Sequence, residues 1–100
     1  MSKTTVVRYK THPQHAERNA ALIAQVFAAL ERQKPAGIRY QVLCAEDGVS
    51  FTHVATMEDG LAVHPLTSLP EFMAFVADIA ARCEVPVRQV PSVTLGRYPG

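Results

Sequence analysis

A two-layer α+β fold in the order β-α-β-β-α-β is predicted by three features of the sequence. A helix-start signature occurs twice, as Thr11-His12-Pro13-Gln14 and Ser68-Leu69-Pro70-Glu71. Each pairs a hydroxyl cap with a Gln or Glu three residues on and a proline in the first turn, and each heads an amphipathic run. Asp47-Gly48, between two stretches of alternating polarity, marks a tight hairpin. Segments rich in β-branched and aromatic residues, 4–10 and 93–98, supply a strand at either end.

The first helix is expected over residues 13–33, because Ala16, Ala20, Ile23, Phe27 and Leu30 recur at four-three spacing. Leu22, Val26 and Ala29 widen that stripe, and Lys34-Pro35-Ala36-Gly37 ends it. Strands follow over 38–45 and 49–56. With Asp47 and Gly48 as the loop, Cys44 faces Phe51, Val42 faces His53, Tyr40 faces Ala55 and Ile38 faces Met57, on the side predicted to meet the helices. The opposite side pairs Leu43 with Thr52, Gln41 with Val54 and Arg39 with Thr56, a mixture that suits neither a dry core nor open water. A second helix over 69–83 is expected to bury Phe72, Val76, Ile79 and Cys83, with Met73 and Ala80 beside them. Proline interrupts 85–91, which therefore reads as a connector or edge segment, leaving 93–98 as the last strand. Packing both helical stripes on one face of the sheet gives a ferredoxin-like split β-α-β domain spanning residues 1–100.

Composition narrows the function classes. A net charge of +1 with no basic stripe gives no support for nucleic acid or an anionic membrane as partner. No apolar run approaches the roughly 20 residues of a spanning helix, and Met1-Ser2-Lys3 leads straight into a strand, so a cytoplasmic protein is expected. Cys44 and Cys83 lack metal or redox spacing and are expected to be buried, reduced thiols. No G-x-S-x-G elbow, phosphate loop, dinucleotide fingerprint or H-E-x-x-H helix is present, and neither a metal nor a cofactor is expected. The half-apolar sheet face, carrying Leu43, Val54 and Val6, is expected to be covered by a second copy in a homodimer.

The chain resembles the dimeric α/β barrel proteins and, within them, the small stand-alone domains similar to antibiotic-biosynthesis monooxygenases. The resemblance is carried by Val6-Val7-Arg8-Tyr9-Lys10 and the Pro13 helix start, by Gly37-Ile38-Arg39-Tyr40, by His64-Pro65-Leu66 through Phe72, and by Thr94-Leu95-Gly96-Arg97-Tyr98. It implies two sheets packed face to face, with a pocket in each subunit between sheet and helices. Relatives include cofactor-free oxygenases of aromatic and quinone-like substrates, haem-degrading enzymes and isomerases. Haem-degrading relatives rely on a pocket Trp, which this chain lacks, and its single asparagine, Asn19, falls mid-helix.

His53 is the first candidate for chemistry, because the hairpin register places its imidazole on the helix-facing side, where it must be hydrogen-bonded or line a wet pocket. Tyr9 and Tyr40 are expected to reach the same space and to donate to a carbonyl or quinone oxygen. The alternative for all three is a structural role in the core. His64 is expected at the pocket mouth, and Phe51 and Phe72 are expected to contact the ligand. Two functional readings follow. One is a dimeric monooxygenase-like protein acting on an apolar or aromatic molecule, with cofactor-free oxidation or isomerisation as its reaction, and the other is a non-catalytic ligand-binding or accessory dimer of the same fold.

Overall fold

The computed structural model describes residues 2–99, with β1 (Ser2–Thr11), a 3-10 turn (Pro13–His15) leading into α1 (Ala16–Gln33), β2 (Ile38–Cys44), β3 (Ser50–Glu58), α2 (Pro70–Ala77), α3 (Ile79–Arg82) and β4 (Cys83–Ser92). The strands form one antiparallel sheet in the order β2-β3-β1-β4, the interleaved arrangement of a ferredoxin-like fold.

The hairpin forms in the predicted register, from Ile38 opposite Met57 to Cys44 opposite Phe51. Its turn is held by Asp47, whose Oδ1 accepts the amides of Val49 and Ser50 at 2.9 Å each and whose Oδ2 accepts the Ser50 hydroxyl at 2.6 Å. The Ser50 hydroxyl, together with these amides, holds the Asp47 carboxyl below its usual range. Gly48 takes a φ of 76°, a conformation open to glycine without strain.

Both helices cover the face that bears Tyr9, Phe51 and Ala55, which join Leu22, Val26, Leu66 and Phe75 in the core. Along α1 the buried line runs through Asn19, Leu22, Val26 and Ala29, while Ile23, Phe27 and Leu30 flank it half-buried and Ala20 is exposed. The predicted stripe is therefore rotated, because long side chains reach the core from the flank while the residues over the sheet must be compact or hydrogen-bonded.

Four local expectations need correction. Neither hydroxyl caps its helix: Thr11 is fully buried with its Oγ1 donating to the Val49 carbonyl, the Ser68 hydroxyl donates to the Pro65 carbonyl, and His12 and Leu69 occupy the cap positions. Glu71 is recruited to a 3.0 Å ion pair with Arg32 that ties α2 to α1. The second helix breaks at Asp78, which leaves helical geometry at φ −130°, and its deepest apolar residue is Phe75, with Met73 and Ala80 exposed. The last strand is Cys83–Ser92, and 93–99 has no regular structure, leaving Val93, Leu95 and Tyr98 exposed. Prolines are tolerated in β4 because it is an edge strand, and Pro86 falls where Arg8 pairs with Arg88 but Lys10 with Val85, a bulge that removes the need for its missing N–H. Finally, Cys44 is exposed and Cys83 half-buried, both as free thiols, with burial raising the Cys83 thiol pKa.

The other sheet face carries Val6, Leu43 and Val54 among Thr4, Arg39, Gln41, Thr52 and Thr56, and Leu43 is 51% exposed. No helix among the described residues is long and apolar enough to cross a membrane.

Gly37, at φ 82°, immediately precedes β2, its carbonyl accepts the Glu58 amide, and a Cβ there would lie 2.8 Å from Cδ2 of Leu61. Gly37→Ala is expected to cost about 1 kcal/mol or more in a urea melt, from the positive φ and the contact together. Unchanged stability would show that Leu61 and the backbone relax freely.

Candidate functional site

Strand register brings the three candidate residues together. Tyr9 of β1 pairs with Phe51 and Tyr40 of β2 pairs with Ala55, the residues two before and two after His53 on β3. Residues two apart on a strand share a face, so the tyrosines stand at diagonal positions on either side of the imidazole, within reach of long side chains. The Tyr9 hydroxyl lies 2.8 Å from Nε2 of His53 and the Tyr40 hydroxyl lies 2.7 Å from Nδ1. Both ring nitrogens are occupied, and His53 is 4% exposed.

The network extends into the helices through two residues to which sequence reasoning assigned no role. Asn19 of α1 donates from Nδ2 to the Tyr9 hydroxyl at 2.8 Å, and Arg82 of α3 donates from Nε to Asn19 Oδ1 at 3.0 Å. Arg82 also donates to the Phe75 carbonyl at 2.6 Å, pairs with Asp78, and sits 5.3 Å over the Phe75 ring. These contacts satisfy a guanidinium that is 2% exposed. A signal for Asn19 was present, since it lies three residues before Leu22 on the buried stripe, whereas the helix break at Asp78 upsets the spacing that would carry the inward face from Phe75 to Arg82.

Burial keeps the network uncharged at its centre. It pushes His53 down to about 4 and raises the phenols of Tyr9 and Tyr40, the Tyr9 shift being opposed by the hydrogen bond from Asn19. Aromatic packing fixes the rings: Tyr9 stacks on Phe51 at 5.4 Å, and Tyr40 stacks on Phe27 at 5.2 Å.

A cavity of about 300 Å³ opens against this network, between the sheet and α2. Tyr9, Tyr40 and His53 line it with Val7, Ala55, Met57, Leu66, Phe72, Phe75, Val76 and Ile79, while Thr5, His64, Thr67 and Gln89 add polar groups. His64 Nδ1 accepts the amides of Leu66 and Thr67 at 3.2 and 3.1 Å, so its ring closes the turn that leads to α2. Of the residues expected to contact a ligand, His64 and Phe72 are on the cavity wall, and Phe51 stands in the core against Tyr9. Among the described residues no group of three or more His, Cys, Asp or Glu side chains is placed to hold a metal ion.

No family model and no curated protein matches the sequence. Solved structures do. Rv0793 from Mycobacterium tuberculosis superposes with a TM-score of 0.77 at 15% identity, covering 98% of this chain and 99% of its own. SnoaB from Streptomyces nogalater, described as a cofactor-independent oxygenase and compared in a mutant form, gives a TM-score of 0.70 at 20% identity over 99% and 98% of the two chains. A structure described as an antibiotic biosynthesis monooxygenase gives 0.75 at 15% identity over 96% and 100%. The predicted monooxygenase-like fold is therefore the fold of this chain.

The neutral imidazole makes stability depend on pH. The folded pKa of His53, about 4, lies below its unfolded value of 6.5, so the unfolded chain takes up the proton first. The stability that depends on the neutral ring is fully present above pH 6.5 and falls as pH drops toward 4, by roughly 3 kcal/mol in all. Urea unfolding at intervals between those limits reads the loss, and His53→Gln is expected to flatten it. A stability that stays level from about pH 6.5 to 5 in the parent protein would contradict a buried neutral histidine.

Proposed function

We propose that this chain is a cytoplasmic, monooxygenase-like homodimer that binds a flat apolar or aromatic molecule in the cavity between sheet and helices, with Tyr40 orienting it and His53 and Tyr9 holding Tyr40 in place. The observation that carries the reading is a fixed Tyr40–His53–Tyr9 hydrogen-bonded group on the wall of a largely apolar cavity. Apolar walls supply affinity, and a few placed polar atoms supply orientation. Phe72 and His64 border the same space, and Phe51 holds Tyr9 from behind. Likeness to a cofactor-independent oxygenase supports oxidation without a bound cofactor, with the Tyr40 hydroxyl polarising a carbonyl or quinone oxygen of the substrate.

A second reading, a non-catalytic ligand-binding or accessory dimer, is favoured by one feature of the same site. An imidazole with its pKa near 4 is a weak general base, and the raised phenols hold no negative charge at neutral pH, so the triplet is better built to orient than to remove a proton. Oxygen uptake with bound aromatic substrate separates the two readings, and binding without turnover selects the second.

Tyr40→Phe is expected to weaken binding of an aromatic ketone about tenfold, since Tyr40 lines the cavity, and also to lower the melting temperature, since Nδ1 of the buried His53 loses its partner. Calorimetric titration checks this, and unchanged affinity would remove Tyr40 from the site.

The face bearing Val6, Leu43 and Val54 is proposed as the dimer interface, since neither helix covers it. Light scattering at micromolar concentration is expected to show two chains per particle, and Leu43→Asp to give one. A parent protein that runs as a monomer would sink the dimer.

A further inference from the structure

The hydrogen-bonded chain that runs from Arg82 to Tyr40 has a direction, and the direction is set at its buried end. A guanidinium only donates, so the Asn19 atom 3.0 Å from Arg82 Nε is the carbonyl oxygen. Reversing the amide would set N–H against N–H, with both side chains out of water. The amide nitrogen of Asn19 therefore faces Tyr9 and donates to its hydroxyl oxygen at 2.8 Å. Tyr9 is 4% exposed, and its own proton has one remaining acceptor among the described residues, His53 Nε2 at 2.8 Å. Nε2 must then be unprotonated. In a neutral imidazole the hydrogen sits on Nδ1, which donates to the Tyr40 oxygen at 2.7 Å. Tyr40 has given its acceptor position to His53, and its proton has no acceptor elsewhere among the described residues. The cavity is the space that Tyr40 borders.

The geometry points to Asn19 and Arg82 as positioning residues that fix this direction, so that Tyr40 presents its proton to the cavity and the site selects ligands with an acceptor oxygen. Neither residue touches the ligand. They act by denying Tyr9 the choice of donating toward the helices, which orders every proton between there and the cavity. A ligand that brings a carbonyl or quinone oxygen meets a waiting donor, whereas one that brings only an N–H meets a donor with another donor and leaves both unpaired. This selectivity rests on the cavity being a ligand site, as proposed above, but the proton arrangement exists without any ligand.

That independence sets the test. Long-range proton–nitrogen correlation spectra of histidine-labelled protein at pH 8 read the His53 tautomer directly, and the expected signature is a protonated Nδ1 with a bare Nε2. Asn19→Asp keeps the shape and the acceptor for Arg82 but offers Tyr9 an acceptor, so the chain is expected to reverse and the hydrogen to move to Nε2. A purely structural contact has no reason to move that proton. Indanone, which can only accept, and indole, which can only donate, are then titrated. The parent protein is expected to prefer indanone by about tenfold, the scale of one satisfied against one stranded hydrogen bond, and Asn19→Asp to lose or invert that preference. A protonated Nε2 in the parent protein overturns the inference, as does a preference for indole. If the tautomer is as expected but neither probe binds, the ligand-site reading and the selectivity built on it fall, and the ordering by Asn19 and Arg82 stands. If Asn19→Asp does not fold, the parent tautomer still decides the direction.

Discussion

A guanidinium withdrawn from water must have its donors met, and the way Arg82 meets that demand organises this molecule. Its partners come from α1 through Asn19, from α2 through the Phe75 carbonyl, and from the break between the helical pieces through Asp78. An arginine so buried is costly to strand, because removing one partner leaves an uncompensated charge worth several kcal/mol. The helical layer is thus fastened by a group that tolerates one arrangement of its neighbours. Asn19 passes that constraint to the sheet, where Tyr9 and His53 carry it across β1 and β3 to Tyr40 on β2. A cavity wall with fixed polar atoms is the far end of the same chain of constraints.

Apolar packing and polar order divide the work between them. Phe51, Phe75 and Phe27 hold the tyrosine and histidine rings at stacking or tilted distances, and so decide where the polar atoms stand. Hydrogen bonds decide which of those atoms carry protons. Low dielectric makes the second decision sharp, since a buried group left unpaired has no water to fall back on.

Much of this was legible from residue pattern, and the reasons differ by element. The Asp47-Gly48 turn admits one register, so the partners of Tyr40, Val42 and Cys44 on β3 followed by counting, and with them the inward face of His53. The apolar spacing of α1 showed that a helix exists but placed its centre one strip away, because an asparagine in an apolar stripe is read as an interruption until its partner is known. Arg82 was hidden for the same reason: what justifies its burial is the Phe75 carbonyl and the Asn19 amide, one of them 63 residues distant in the chain. The true last strand was masked by prolines that only an edge position and a bulge can excuse, and β-branched residues drew attention to 93–98, which pairs with nothing in the sheet. Local chemistry is visible in sequence; long-range satisfaction of polar groups is not.

The separations along the chain carry a kinetic consequence. The links from Arg82 to Asn19, from Asn19 to Tyr9, from Tyr9 to His53 and from His53 to Tyr40 span 63, 10, 44 and 13 residues, and only the last joins the two strands of the hairpin. Loop closure over such distances must precede the bonds that reward it. The hairpin can therefore form early with Tyr40 and His53 already facing each other, while the remainder waits for the first and last segments of the chain to meet over it. A collapsed intermediate that is slipped by one residue would turn His53 to the opposite face of the sheet and strand every polar group in the line. The network along the cavity wall is thus complete only in the observed register, and near misses are left short of partners.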